Sequence, residues 1–491
     1  MLKNYLKLSW RNLTKNRSHA LINLLGLAIG IACCMLIMLW VSDELSYDKW
    51  NEKSDRIYRI TNEINFGGSH KHFAVSPAPM AEAFRNDFPE VETAVRFRNY
   101  GGSLVRRDNQ IFNETNIIYC DSTVFDVFSL NMVNGNPKQA LTAPNSVIIN
   151  ESMARKYFPN DNPVGKILNF DNRTDLSVTG VIQDMPVNSH FNFDFFVSLN
   201  GVQEAQSPLW TSNNFHTYYV LRQGTDVDAF EAKVYPFFKE KYVAPQIEQI
   251  LGAPFEDFEK AGSFIKYHFQ PLADIHLKSD LTVELAANGN IQYVWTFSIV
   301  ALFILLIACV NFMNLSTARS SVRAKEIGVR KVLGSLRGNL IQQFLVESVL
   351  MAAMAFVIGF LIAFLTLPYF NDLADKQLSL PFANITFWLT SIIGIVLIGL
   401  LAGSYPAFYL SKFRPIKTLK GKFLDKGGNL NLRNSLVVFQ FLIAVLLIVG
   451  TLVINQQIHF IQNKKMGFDR EQVMILDNVE TLRDRGFTLK K

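Results

Sequence analysis

Five apolar runs, each long enough to carry a helix across a bilayer, constrain this chain more than anything else in its sequence. They extend roughly from Leu21 to Val41, Val294 to Leu315, Ser348 to Pro368, Ile385 to Tyr405 and Leu436 to Ile454, and a spanning helix needs about 20 mainly apolar residues. A buried core helix of a large soluble protein explains one such run; five in one chain, almost free of charge, point to the membrane. With 49% hydrophobic and 18% charged residues and a positive mean hydropathy, disorder, collagen and a long solvated coiled coil are excluded. Of the four cysteines, Cys33, Cys34 and Cys309 lie inside apolar runs and only Cys120 lies outside, so neither a disulfide framework nor a four-thiolate zinc site is available.

The basic residues orient the spans. Lys3, Lys7, Arg11, Lys15 and Arg17 precede the first; six more lie between the second and third, and seven between the fourth and fifth. Over 1–20, 318–345 and 412–435 these segments hold 18 basic and 2 acidic residues, whereas 43–291 holds 22 basic and 32 acidic ones. Positive charge collects on the cytoplasmic side of membrane proteins. The pattern therefore predicts a cytoplasmic N-terminus, odd spans running outward, even spans returning, and an extracytoplasmic 43–291. The net charge of +6 comes from residues beside spans and not from one folded face, which argues against nucleic acid as a partner.

The first run follows a basic segment as a signal peptide does, but it is too long for a signal core and no small-x-small site precedes Asp43 and Glu44. Gly30-Ile31-Ala32-Cys33 is only faintly like a lipoprotein box, because the apolar run continues beyond Cys33. An uncleaved anchor is the better reading. Gly26 and Gly30 form a small-xxx-small pair that would let another helix approach closely; equally, glycine is simply common in membrane helices.

The 43–291 segment reads as an α+β domain or a pair of them. Ser146–Ile149, Val178–Ile182 and Tyr218–Leu221 have strand character; Glu151–Phe158, stopped by Pro159, together with Ala229–Tyr242 and Ala244–Leu251, have helical character. Six of the eight histidines lie here, and His70-Lys71-His72 would point two rings to one side of a strand. No third metal ligand follows at a recognisable spacing. No G-x-S-x-G, H-E-x-x-H or activated-cysteine arrangement occurs. Gly165-Lys166-Ile167 and Gly421-Lys422-Phe423 lack both the upstream glycine and the hydroxyl of a phosphate-binding loop, so ATP hydrolysis is not expected of this chain.

The most informative segment is 318–334. Val322, Val329, Val332 and Leu333 recur at helical spacing, and Arg323, Glu326, Arg330 and Lys331 take other positions. Glu326 and Arg330 are four apart in the favoured acid-first order, and Gly334 stands where a helix should stop. The spacing predicts a short amphipathic helix at the inner membrane face, either an anchor against headgroups or a docking helix for a cytosolic partner.

This segment, with Gln343-Phe344-Leu345-Val346-Glu347-Ser348 after it, resembles the signature of the FtsX/MacB class of ABC transporter permeases. Asn23–Gly30 is similar to that family's first span; Asn150–Phe158, Pro163–Lys166 and Gly180–Ile182 to its extracytoplasmic core; Pro406–Ser411 and Arg414–Ile416 to the exit from its fourth span. The resemblance covers essentially the whole chain. It implies a polytopic α-helical membrane protein with a large α+β extracytoplasmic domain: a cytoplasmic N-terminus over 1–20, a first span over 21–42, a MacB-like core over 43–291, and an FtsX-like permease domain over 292–411 with its coupling loop at 318–345. A basic linker over 412–435, a fifth span over 436–454 and the start of a second extracytoplasmic domain over 455–491 would follow.

The same resemblance implies a permease subunit in a bacterial inner membrane, partnered by a separate ATPase of the MacB, LolD or FtsE kind, with ATP and magnesium on that partner and no cofactor or metal on this chain. ATPase coupling then falls to Arg323, Lys325, Glu326, Arg330 and Lys331, with Gly328 and Gly334 shaping the helix. Membrane lipid, a dimer or pseudo-dimer, a periplasmic adaptor and an outer-membrane channel are further implied partners. The expected function is efflux or export of an antimicrobial peptide, macrolide or lipoprotein. FtsX-like signalling to a cell-wall hydrolase is the alternative, and a membrane-anchored extracytoplasmic enzyme is disfavoured by the missing catalytic constellation. A basic MacB-type unit has four spans; here Leu432-Arg433-Asn434-Ser435-Leu436 echoes Trp10-Arg11-Asn12-Leu13, and Met466-Gly467-Phe468-Asp469 is similar to the start of a second outer domain. The expectation is a duplicated permease cut short in its second copy.

Overall fold

Alternation of apolar side chains explains the layered build of residues 44–291. The computed structural model describes residues 17–318, 327–411 and 430–464, and the chain divides into a globular unit, Glu44–Ile291, and a helical unit built from residues up to Asp43 and from Gln292 onward. The strands of the globular unit are β1 (Ile57–Phe66), β2 (Ser69–Phe73), β3 (Ser76–Pro77), β4 (Val91–Arg98), β5 (Ser103–Arg107), β6 (Gln110–Glu114) and β7 (Ile117–Cys120). They continue as β8 (Met132–Gly135), β9 (Ser146–Asn150), β10 (Ile167–Phe170), β11 (Thr174–Ile182), β12 (Phe195–Ser198), β13 (Asn213–Leu221) and β14 (Phe264–Pro271). They join in the order β14-β1-β13-β4-β7-β12-β9-β11-β10-β5-β6. β7 with β12 and β9 with β11 are parallel pairs, and the other pairings along this path are antiparallel.

At the centre of the sheet both faces are covered. Ile118, Ile148 and Phe196 enter one core with Phe97, Phe128 and Phe191, while their neighbours Ile117, Ile149 and Phe195 enter another with Tyr157 and Phe170. Strands buried on both sides read as continuous apolar runs, which is why 146–149 is legible as a strand. A third core gathers Phe84, Phe88, Trp210, Phe238 and Phe269 beside the helices Met80–Asp87 and Val227–Phe238. The expected helix over 229–242 starts two residues earlier, where Asp226 caps it by accepting from the Ala229 amide at 3.1 Å, and it changes to a π turn at Lys239–Val243 just after Pro236. Proline lacks the amide that a regular helix needs, so the ladder is irregular there.

Buried polar side chains lock this unit. Arg59 on β1 is fully buried and donates to Glu284, Gln270 and Ser279. Asp48 accepts from the His190 ring at 2.9 Å, His190 in turn pairs with the Tyr218 hydroxyl at 2.8 Å, and His276 pairs with Glu44 at 2.8 Å under the stacked ring of Tyr47. His70 bonds Glu63 at 2.7 Å and His72 bonds Thr61 at 2.8 Å, so each ring of the His70-Lys71-His72 motif is engaged within the sheet.

His216 on β13 makes stability depend on pH. Burial first, and then the positive charge of Arg59, push its pKa from 6.5 down to about 3. The folded protein resists a proton that the unfolded chain accepts, so the stabilisation is complete above pH 6.5 and is lost as pH falls toward 3. Below 6.5 His216 alone should cost about 1.4 kcal/mol per pH unit. His72, whose pKa burial lowers, adds in the same sense; His268, raised chiefly by Glu231, opposes it, since its stabilisation is complete below 6.5 and fades as pH rises through its higher folded value. Melting of the purified protein at pH 7.5 and at pH 5 should therefore differ more for wild type than for His216→Gln; equal differences would refute the assignment.

The helical unit contains α1 (Arg17–Glu44), α2 (Ile291–Ala318), α3 (Arg337–Ala374), α4 (Ile385–Ser411) and α5 (Leu430–Asn463). All five are long and apolar enough to cross a membrane. They exceed the apolar runs because helical backbone bonding continues into the polar flanks once a helix is formed. Thus α3 takes in 337–345, which the sequence assigns to a loop, and passes through Pro368 to Ala374. Likewise α5 makes 455–463 helical, where the sequence places the start of another domain. Met466–Asp469 lies outside the described residues, as do the basic segments over 1–16 and 412–429.

Candidate functional site

Between α2 and α3 the described chain resumes at Ile327 with a short helix over 327–332. Its end is set by Gly334, whose φ of 91° belongs to the left-handed region. The amides of Gly334 and Ser335 donate to the carbonyls of Lys331 at 3.1 Å and Arg330 at 3.0 Å, the bonding of a glycine-terminated Schellman cap. The chain thereby reverses and enters α3 at Arg337.

This turn is bolted across two membrane helices. Ile327 is buried among Leu340 and Phe344 of α3 and Ala407 and Leu410 of α4. Arg330 donates to Gln343 Oε1 on α3 at 2.7 Å, and Lys331 Nζ donates to the carbonyl of Ser411 at 2.7 Å. Ser411 is the last described residue of α4 and fully buried, so Lys331 sets its cation against a backbone carbonyl in the last described turn of that helix. Arg337 Nε reaches Ser411 Oγ at 3.4 Å. Burial, with the nearby Arg337 charge, lowers the Lys331 pKa.

Arg330 and Lys331, named from the sequence, reach Gln343 and Ser411. Val329, Val332 and Leu333 are 50%, 66% and 81% exposed. Ile327 makes the inward contact, between α3 and α4. Gly328 is buried beside it. Val322, Arg323, Lys325 and Glu326 lie outside the described residues. Gln343 and Ser411 were missed as members of the site. Gln343 was legible in part as a polar residue entering an apolar helix, with the buried Glu347 one turn on; nothing in the sequence marks the carbonyl of Ser411.

Glycines set how closely the spans approach. A side-chain carbon placed on Gly26 would lie 3.2 Å from Asn311 Nδ2, and one on Gly30 only 2.6 Å from Ala308 Cβ, both on α2. On α3, one at Gly359 would meet the Ala28 carbonyl of α1 at 2.7 Å; on α4, Gly399 and Gly403 lie against Val349 and Ser348 of α3. Helices α1–α4 therefore pack through small-residue contacts, with Ala28, Ala308, Ala352 and Ala402 in one buried cluster.

Two family models match: the MacB-like periplasmic core domain over residues 20–235, which takes in most of α1 and most of the globular unit, and the FtsX-like permease C-terminal domain over residues 298–415. The chain belongs to the FtsX/MacB family of ABC transporter permeases. This permease is 24% identical over 314 residues to the macrolide export ATP-binding/permease protein MacB of Mannheimia succiniciproducens, covering 63% of this chain and 44% of that protein. It is 22% identical over 437 residues to the uncharacterized ABC transporter permease YvrN of Bacillus subtilis, covering 85% of this chain and 99% of that one. Among solved structures, the periplasmic region of MacB from Actinobacillus actinomycetemcomitans aligns with 15% identity and a TM-score of 0.29, over 45% of this chain and 91% of that one. The permease thus spans less than half the length of the MacB relative and is a multi-pass membrane protein with a large α/β domain.

Proposed function

We propose that this permease couples a separate cytoplasmic ATPase to motion of its 44–291 domain on the far side of a bacterial inner membrane, and that the motion serves export. The observation that carries the reading is the turn over 327–336, fastened at once to α3 through Ile327 and Arg330 and to α4 through Lys331. A partner that pushes on this turn moves both helices together, since neither can shift without breaking a charge-assisted bond, each worth about 1.5–3 kcal/mol. Exposed Val329, Val332 and Leu333 offer apolar surface for the partner, while Arg330 and Lys331 carry the displacement inward. The charge pattern supports a cytoplasmic turn, and the relative named for macrolide export supports export as the purpose of the motion.

The ATPase is expected to co-purify with the protein and to turn over ATP faster with it than alone. Lys331→Met should keep membrane insertion and co-purification but reduce that stimulation roughly tenfold, as the loss of about 1.4 kcal/mol of coupling implies. Val332→Asp should instead abolish co-purification. Unchanged stimulation in Lys331→Met, or no ATPase recovered with wild type, would overturn the reading. Recovery of a cell-wall hydrolase with the complex would favour signalling over export.

A further inference from the structure

We infer that Lys376 and Asp43 form a clasp that makes α1 follow α3, so that displacement entering at the 327–336 turn is handed to α1 at the far end of the helices. The inference rests on the coupling reading above and adds the path that the displacement takes. Lys376 Nζ lies 2.9 Å from Asp43 Oδ2, and the two side chains are only 16% and 19% exposed. Lys376 is the one basic residue of 369–384, so it is the only cation which that segment can offer to α1.

The lysine is mounted rigidly. α3 ends at Ala374, and Asp375 caps it with a left-handed φ of 49°. The amides of Asp375 and Lys376 both donate to the carbonyl of Asn371, the latter at 3.0 Å. The Asn371 side chain closes the loop, donating to the Leu378 carbonyl at 2.9 Å and accepting from the Leu378 amide at 3.1 Å. Farther on, Phe382 stands edge-on to Phe360 of α3 at 5.6 Å, and Trp388 of α4 donates its indole N–H to the Phe382 carbonyl at 2.9 Å. The lysine therefore moves with α3 and α4, the two helices that the turn grips at their other end.

α1 and α3 run in the same direction and meet at two levels. Midway along them, Gly359 lies against the Ala28 carbonyl; from there each helix rises about 22 Å, to Asp43 on α1 and to Ala374 on α3. Between the two levels α3 contains Pro368, which has no amide to give the Phe364 carbonyl. The helix can bend there, and the contact at Gly359 alone would let its far segment slide past α1. The ion pair beyond the proline removes that freedom. Asp43 is followed directly by Glu44, whose carboxylate bonds the buried His276 ring at 2.8 Å, so a pull on Asp43 reaches the 44–291 domain within one residue.

The test measures amide hydrogen exchange on the full-length protein in nanodiscs, first by itself and then with the co-purifying ATPase. By itself, Lys376→Met should speed exchange over 40–44 about fivefold, because a charge-assisted bond that closes this end is lost, and should leave the buried strand β9 unchanged. Asp43→Asn, nearly isosteric, should do the same, and the two substitutions together no more than either alone. In the complex, ATP should change exchange over 44–52 in wild type and in neither variant, with the ATPase still co-purifying. Exchange over 40–44 unmoved in both variants, additive effects in the double variant, or an ATP response over 44–52 that survives them would overturn the clasp and leave the coupling reading in place. No ATP response over 44–52 in wild type would overturn the coupling reading, and the path with it.

Discussion

Arg59→Ala should destabilise the globular unit by about 3–5 kcal/mol, the cost typical of removing one partner from a buried ion pair. The guanidinium is fully buried. Its two terminal nitrogens contact Glu284 at 2.5 and 3.0 Å, Gln270 at 2.7 Å and Ser279 at 2.9 Å. Its removal leaves the Glu284 carboxylate, 14% exposed, without this cation, and takes from Gln270 the donor that its Oε1 accepts. Since whole domains are stable by only about 5–15 kcal/mol, this single change consumes a large share. Arg59→Met combined with Glu284→Leu should recover much of the loss, because matched apolar replacement of a buried pair is often neutral. Cys120 gives the readout. It is fully buried in this unit, and the other three cysteines lie in membrane helices. Labelling of Cys120 by a membrane-impermeant maleimide in rising urea should shift to markedly lower urea in Arg59→Ala and return toward wild type in the double variant. A labelling curve unchanged by Arg59→Ala would show that the ion pair does not hold the fold.

Gly30→Leu should disrupt the packing of α1 on α2. A carbon at this position already lies 2.6 Å from Ala308 Cβ, well inside ordinary contact, and a leucine must push the helices apart. Overpacking costs about 1–3 kcal/mol in well-packed cores, and here close backbone approach is itself a main source of helix association. Gly450→Leu on α5 is the control, since a side-chain carbon there meets nothing within 4 Å. In mild detergent, Gly30→Leu should melt at a clearly lower temperature, while Gly450→Leu should not. The milder Gly30→Ala should be rescued by Ala308→Gly, which removes the opposing carbon. Failure of that rescue would place the sensitivity of Gly30 elsewhere than in this contact.

These two sites differ in how far they could be read in advance. Gly26 and Gly30 stand out because their spacing puts both on one helix face, although spacing alone does not say which helix they meet; Asn311 and Ala308 supply that. Arg59 does not stand out at all. It sits in the stretch Ile57-Tyr58-Arg59-Ile60, and its partners are more than 200 residues away along the chain. A lone arginine between apolar residues reads as an exposed strand position until the fold shows that both faces are covered. The strands were legible where burial on both faces leaves continuous apolar runs, as in β9 and the end of β13. They were not legible where short polar strands such as β2 and β6 owe their form to pairing.

The sequence by itself determined that this chain crosses the membrane about five times, that an acidic α+β segment of some 250 residues lies between the first two crossings, and that a basic turn ending at Gly334 joins the second to the third. These follow from local quantities: run length, charge sign and the left-handed backbone that glycine tolerates. Only the tertiary structure decided which way the side chains of that turn point. Arg330 and Lys331 turn inward because Gln343 and the Ser411 carbonyl of α4 offer acceptors. Val329, Val332 and Leu333 turn outward because Ile327 takes the single apolar seat between α3 and α4. A charged side chain follows the strongest acceptor within reach, and reach is set by chain segments that meet only after folding.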